Sequence, residues 1–317
     1  MAANRIKYNL KELLSFPLLG LQFIISFLPL AVLYKFSGLL SWLFYHVFHY
    51  RRKIVRTNLE NSFPEKTVDE LRVIEKCFYR NLTDVMVEII KLKTISPAQL
   101  KRRCFYTPES VELLNRYHEQ GKSIMIVMGH MGNWEWAGAS YPLWNRHQII
   151  TAYRPLRNKA YDKYILKMRR RTGNIIVPMK KTPMEMIKRR HETIATALIA
   201  DQRPGIDNAF RVRFLNHDTP VYKGPEILSQ KFNTPLFWGC VKRAKRGHYH
   251  IDLQHITDDP GSYKMEGALT ALHASYLERD INEQPESWLW SHRRWKHKLP
   301  ENINDSSSRD DKISVQS

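Results

Sequence analysis

Residues 123–139 read SIMIVMGHMGNWEWAGA, an apolar-leaning run that breaks at Gly129 and delivers an imidazole, His130, at its mouth. A short apolar run closed by glycine predicts a buried strand. In α/β sheets, function collects just beyond the carboxyl ends of such strands. Glycine on either side of the His130–Met131 pair lets the chain turn sharply and lets a substrate approach closely. Asn133 suits a helix N-cap. Glu135 then falls in the first helical turn, where a carboxylate is favoured. From there it is expected to reach back to His130, fix the tautomer and leave the other ring nitrogen basic. No serine or cysteine adjoins the pair, and Ser140 is ten residues on. The base would therefore deprotonate a substrate hydroxyl rather than an enzyme nucleophile. The competing reading is a structural histidine capping a turn.

The elements that must position this pair are legible in outline. Residues 54–103 carry apolar positions at helical spacing (Leu71, Ile74, Phe78, Leu82, Val85, Ile89), with Ser62 ahead of Pro64 and Glu65 as the expected helix start. Thereafter β-rich runs begin near 123, 148, 174, 196, 210, 235 and 249. Helical segments alternate with them at 158–171, 183–193 and 223–230, and a last helix is expected over 263–282. This alternation predicts an α/β fold: a mixed, largely parallel sheet flanked by helices. Asp201 ends the run TALIAD at a crevice position, where it could orient Arg154 or an acceptor hydroxyl. Arg203 beside it could bind phosphate, and Lys223, before Gly224-Pro225, is a weaker candidate. His248 and His250 share a strand face without a third ligand and read as structural. No metal site and no cofactor are expected.

Of the 317 residues, 50 are Lys or Arg against 31 Asp or Glu, a formal net charge of +19. Such an excess points to an anionic partner. Nucleic acid is disfavoured, because neither aromatic-interleaved basic strands nor a groove helix is present. The basic clusters at 167–171 and 180–190 suit an acidic carrier protein or anionic lipid, or else a solvated face. Three distant cysteines, Cys77, Cys104 and Cys240, make no disulfide framework or zinc spacing. Leu13–Tyr34 has no charged residue, and a second charge-free run follows Lys35 to Tyr50. The first is long enough to cross a bilayer core of ~20 residues as a helix. Trp42, Tyr45, Tyr50 and the basic triplet at 51–53 follow in interfacial order. The chain thus divides into a membrane-anchoring helical segment (1–50), a catalytic domain (51–300) and a disordered polar tail (301–317). The anchor either spans or re-enters.

These residues carry a resemblance. GHMGNWE (129–135) resembles the active-site block of membrane-bound glycerolipid and lipid A acyltransferases, and its wording is similar to the lauroyl and myristoyl transferases of lipid A biosynthesis. RKIVRTNLENSFPE (52–65), YRPLRN (153–158), DQRPG (201–205) and QPESWLWSHRRWK (284–296) resemble further blocks of that group. RFLNHDTPVYKGPEIL (213–228) departs from it, lacking the glycine of a Phe-Phe-Gly turn. The resemblance implies a membrane-bound acyltransferase that moves a fatty acyl chain from acyl carrier protein to a hydroxyl of a lipid A precursor. His130 and Glu135 would form the base pair, with Asn133, Arg154, Asp201, Arg203 and Lys223 binding substrate. It implies the bacterial inner membrane, with the catalytic domain facing the cytoplasm. Another lipid acceptor, or a non-catalytic basic membrane-binding protein, are the alternatives.

Overall fold

The structure, a computed structural model, describes residues 12, 14–205 and 208–295. The expected tail lies outside the described residues. After two apolar helices, α1 (Ser15–Ile25) and α2 (Leu30–Trp42, prolonged by a π turn to Val47), come α3 (Arg52–Ser62), α4 (Val68–Lys91) and α5 (Pro97–Arg103). The α/β part runs β1 (Cys104–Tyr106), α6 (Pro108–Glu119), β2 (Ile124–Met128), α7 (Trp134–Ser140), β3 (Gln148–Tyr153), α8 (Lys159–Arg169), β4 (Ile175–Pro178), α9 (Thr182–Lys188) and β5 (Ile194–Ile199). It continues β6 (Ala209–Phe214), β7 (His217–Tyr222), α10 (Gly224–Lys231), β8 (Leu236–Lys245), β9 (His248–Thr257) and α11 (Ala268–Glu283).

Seven strands form one sheet in the order β1-β9-β8-β2-β5-β3-β4, and β6–β7 form a separate hairpin. Every neighbouring pair in the large sheet is parallel except β8–β9. The fold is the mixed, largely parallel sheet flanked by helices that the alternation predicts. The central strand β2 is apolar almost throughout because both its faces are covered. Met125 and Val127 enter one core with Phe78, Trp238 and Leu277, while Ile124 and Ile126 enter the other with Leu33, Trp136 and Phe237.

Two local expectations are corrected, and a third observation finds its place in the fold. Helix α4 starts at Val68, because Thr67 and Glu70 form a reciprocal capping box; Ser62 instead closes α3. The charge-free run 13–34 is not one helix. It breaks at Ser26–Pro29, since Pro29 has no N–H to donate and disfavours helix in the residue before it. Among the described residues, the helix long and apolar enough to cross a membrane is Leu30–Val47. The missing glycine of the 213–228 block falls at the two-residue β6–β7 turn. There Leu215 and Asn216 take positive φ of 47° and 64°, the conformation that hairpin turn demands. Asn216 also donates to the Ser62 carbonyl at 3.2 Å, so a side-chain contact accompanies the backbone freedom lost with glycine.

Helix α11 packs Leu277 against Gly129, where an added Cβ would lie 2.6 Å from Leu277 Cδ1. Its N-terminus is fixed by Glu226, which is buried and accepts hydrogen bonds from the Gly267 and Thr270 N–H groups and the Thr270 hydroxyl at 2.7–2.8 Å. Hydrogen bonds to a charged group are worth about 1.5–3 kcal/mol. Glu226→Ala should therefore lower stability by about 2–4 kcal/mol, read as a lowered midpoint in thermal melts of the detergent-solubilised protein.

Candidate active site

Strands β2 and β5 are parallel neighbours in the register Met128↔Ile199. Two residues beyond each partner come His130 and Asp201, so the sheet itself sets them side by side at its carboxyl edge. The His130 Nδ1 lies 2.5 Å from Asp201 Oδ1, and the His130 backbone N–H donates to Oδ2 at 2.9 Å. The Trp288 indole donates to the same Oδ2 at 2.8 Å. Burial alone would raise the Asp201 carboxyl. The facing imidazole and the hydrogen bonds from His130 and Trp288 outweigh it and hold Asp201 well below the usual carboxylate range. With Asp201 ionised, Nδ1 carries the proton and Nε2 is left as the acceptor. Nε2 faces outward, 3.3 Å from the Gln202 amide nitrogen. The Trp134 ring meets the imidazole edge-on at 4.9 Å between centroids.

The loop between β2 and α7 has little freedom. Gly132 has φ +52°, and a Cβ there would lie 2.9 Å from the Val241 carbonyl oxygen. Its N–H donates to the Ser287 carbonyl at 3.0 Å, and Met131 bridges to Trp288. Asn133 is the N-cap of α7: its Oδ1 accepts from the Trp136 N–H at 2.9 Å while its Nδ2 donates to Glu88 at 2.7 Å.

The expected contact between Glu135 and His130 is not made. Glu135 forms a two-point ion pair with Arg169 of α8, because the first turn of α7 directs it there while His130 turns back towards β5. Asp201 takes the imidazole instead, and among the described residues no hydrogen bond joins it to Arg154. Asn133 is fully buried with both ends of its amide engaged, so its side chain faces the core and not a substrate. The Gly132 N–H is committed to the Ser287 carbonyl and is not free to donate to a substrate oxygen. Arg154 is exposed just after β3, on the same carboxyl edge as His130 and Asp201. Arg203 is half-buried two residues after Asp201, and Lys223 lies at the end of β7 with its ammonium 5.8 Å from the Phe210 ring centroid. Among the described residues, no hydrogen bond joins these three to His130.

Gln202 and Trp288 were not singled out by sequence reasoning. Gln202 adjoins Asp201 and needed only the register. The spacing of Trp288, Trp290 and Trp295 reads as helical packing, whereas the chain there is a short 3-10 turn, an extended Trp288 and then a series of tight turns. The 167–171 cluster is also partly internal: Arg169 pairs with Glu135, and Arg171 donates to the Leu92 and Ile95 carbonyls at the end of α4.

The His130–Asp201 pair stands at the carboxyl edge of an open α/β sheet, and among the described residues no serine or cysteine is hydrogen-bonded to it. Residues 6–297 match the family of bacterial lipid A biosynthesis acyltransferases. The chain is 23% identical over 248 residues to a lipid A biosynthesis palmitoleoyltransferase of Escherichia coli (strain K12), covering 78% of this chain and 79% of that one. It is 27% identical over 276 residues to a lipid A biosynthesis acyltransferase of Haemophilus influenzae (strain ATCC 51907 / DSM 11121 / KW20 / Rd), covering 85% and 86%. The chain belongs to the bacterial lipid A biosynthesis acyltransferases: it is an acyltransferase with a lipid acceptor, and it is membrane-associated.

The two carboxylates are separable by experiment. Asp201→Asn should lower kcat by about 10²–10⁴ and shift its pH dependence, because the favoured tautomer is lost. Glu135→Gln weakens the Arg169 pair but leaves the dyad, so its pH profile should stay that of the wild type. A depressed carboxyl stabilises the fold above its unfolded value of about 4, and that contribution is lost as pH falls towards the folded value. Acid-unfolding curves below about pH 4 should therefore be shallower for Asp201→Asn than for the wild type.

Proposed function

We propose that the protein transfers a fatty acyl chain from an acyl carrier protein thioester to a hydroxyl of a lipid A precursor, with His130 as general base. The observation that carries this reading is the His130–Asp201 pair, whose Nε2 points out of the sheet edge. The acceptor oxygen attacks the thioester carbon as its proton passes to Nε2. The tetrahedral intermediate collapses, the carbon–sulfur bond breaks, and the Nε2 proton goes to the leaving thiolate. An ester and a free thiol result, with no acyl-enzyme. Asp201 stabilises the transient imidazolium without taking the proton. Gln202, beside Nε2, is the side-chain donor best placed for the oxyanion. Loss of such a donor typically costs about 10²–10³ in rate.

A narrow, mostly apolar cleft of ≈ 20 Å³ adjoins the His130 loop, lined by Phe78, Leu82, Val85, Gly132, Trp134 and Trp288 among others. Arg154 and Arg203 on the same edge suit lipid phosphates, and the +19 net charge suits an acidic carrier protein. On this reading the catalytic domain works at the cytoplasmic face of the inner membrane, where carrier thioesters are available. Glu135 acts by holding α7 to α8 rather than through the imidazole.

Mass spectrometry of under-acylated lipid A, incubated with acyl carrier protein thioester and detergent-solubilised protein, tests the reading. The wild type should add one acyl mass and His130→Ala none. Acylation of a lysophospholipid instead would keep the base and move the acceptor. Undiminished transfer by His130→Ala would sink the assignment.

A further inference from the structure

Helix α2 lies antiparallel along the C-terminal half of α4. At one end Lys91 of α4 donates to the Ser26 and Leu28 carbonyls, in the turn joining α1 to α2, at 2.9 and 3.0 Å. Further along, the Tyr34 hydroxyl donates to Glu88 at 2.8 Å and the Ser37 hydroxyl to Asp84 at 2.5 Å. Beyond the π turn, Arg52 reaches Glu75 at 3.3 Å. Helix α1 is held separately, with Gln22 3.3 Å from Tyr161 and Ser15 accepting from Asn158 of α8 at 2.7 Å. Both apolar helices are therefore fastened lengthwise to the catalytic domain by polar contacts.

Their outer faces are bare. Leu21, Phe23, Ile24, Phe36, Leu39 and Trp42 are between 42% and 66% exposed. Exposed basic residues flank this face at Lys35, Arg51 and Lys53. Leu30–Val47 is 18 residues long, about 27 Å at 1.5 Å per residue. Stood upright in a bilayer with a core of about 30 Å, it would carry α4 in with it. That would place the exposed Lys76 and Arg80 of α4, and the sheet behind, in hydrocarbon. Charged groups at that depth are costly. Laid flat, the same helix buries its apolar face while every one of these charges stays in water.

We propose that Ser15–Val47 is an in-plane docking surface for an anionic phospholipid leaflet: its outer face lies within one leaflet, parallel to the surface, and the segment does not cross the bilayer. The basic rim selects an anionic surface, and interfacial helices of this kind sit about 5–10 Å into the headgroup–acyl boundary. The inference is independent of the reaction proposed above, and its failure would leave that reading untouched.

The test uses the full-length chain with Cys77→Ser, since Cys104 and Cys240 are buried. Single cysteines replace the outer-face residues Leu21, Ile24, Phe36 or Val47, each spin-labelled and bound to phosphatidylethanolamine–phosphatidylglycerol vesicles. These side chains are at least 48% exposed, so their loss removes little packing. An in-plane segment gives oxygen-accessible labels whose depths agree within about 5 Å, all in one leaflet. Three results would overturn the proposal. One is a depth difference near 16 Å between positions 36 and 47, the rise expected of an upright helix. Another is labels that remain in water. The last is labels shielded from oxygen by a second protein chain.

Discussion

Four ionisable side chains buried on helix α4, Glu75, Asp84, Glu88 and Lys91, set the geometry of much else in this molecule. A buried charge costs several kcal/mol unless it is paired and hydrogen-bonded, so each fixes its partners in place. Glu75 takes Arg52 and Arg56 of α3. Asp84 takes Arg243 and Arg246 at the β8–β9 end. Lys91 takes the carbonyls between α1 and α2. Glu88 receives Tyr34 of α2, Asn133 of the His130 loop and Tyr249 of β9. Burial pushes the Glu88 carboxyl up, and its three donors only partly offset this. One carboxylate thus joins the apolar surface helix, the catalytic loop and the sheet.

That linkage explains how much of the fold the sequence disclosed. Strands β2 to β6, β8 and β9 announce themselves by composition, because apolar and β-branched runs bounded by turn residues have one physical reading. Strand β7 does not, since His217-Asp218-Thr219-Pro220 looks like a loop and is a strand only through its pairing with β6. Strand β1 is three residues long and depends on β9. His130 is legible as a residue at a strand mouth. Its partner is not, because Asp201 is 71 positions away and reaches it only through the adjacency of β2 and β5. Strand order is a tertiary property. Glu135, near in sequence and acidic, satisfies every local criterion and faces the other way.

Charge shows the same division. The sign of the basic excess is open to inspection, but the division between solvent-facing and internally paired arginines is not. Arg169 and Arg171 look like part of a surface cluster and serve as an ion-pair partner and a cap for α4. Trp288 looks like core packing, and it is, at 3% exposure. Yet its indole N–H is one of the groups that keep Asp201 ionised. A single side chain can satisfy the core and the site together, so burial alone does not sort packing from chemistry.

The ground behind the dyad completes the electrostatic argument. A cavity of only ≈ 10 Å³ beneath Asp201 is lined by Arg294 and His273 among others. Burial pushes Arg294 down to about 10 and His273 down to about 3. Arg294 therefore stays cationic at neutral pH and His273 stays neutral. His292, which senses both Asp201 and His130, is held to about 4 chiefly by burial and by Arg294, so it too is uncharged. Asp201 thus faces one cation from below, and the flanking imidazoles add none. An imidazolium forming at His130 meets the carboxylate at hydrogen-bond distance, with the opposing cation across the cavity rather than in contact with the ring. Had His292 titrated near its ordinary value of about 6.5, a second positive charge would oppose proton uptake at His130 across the working pH range. Burying it removes that competitor, and the C-terminal strap that carries it, with Trp288 and Arg294, is as much a part of the base as the strand that ends in His130.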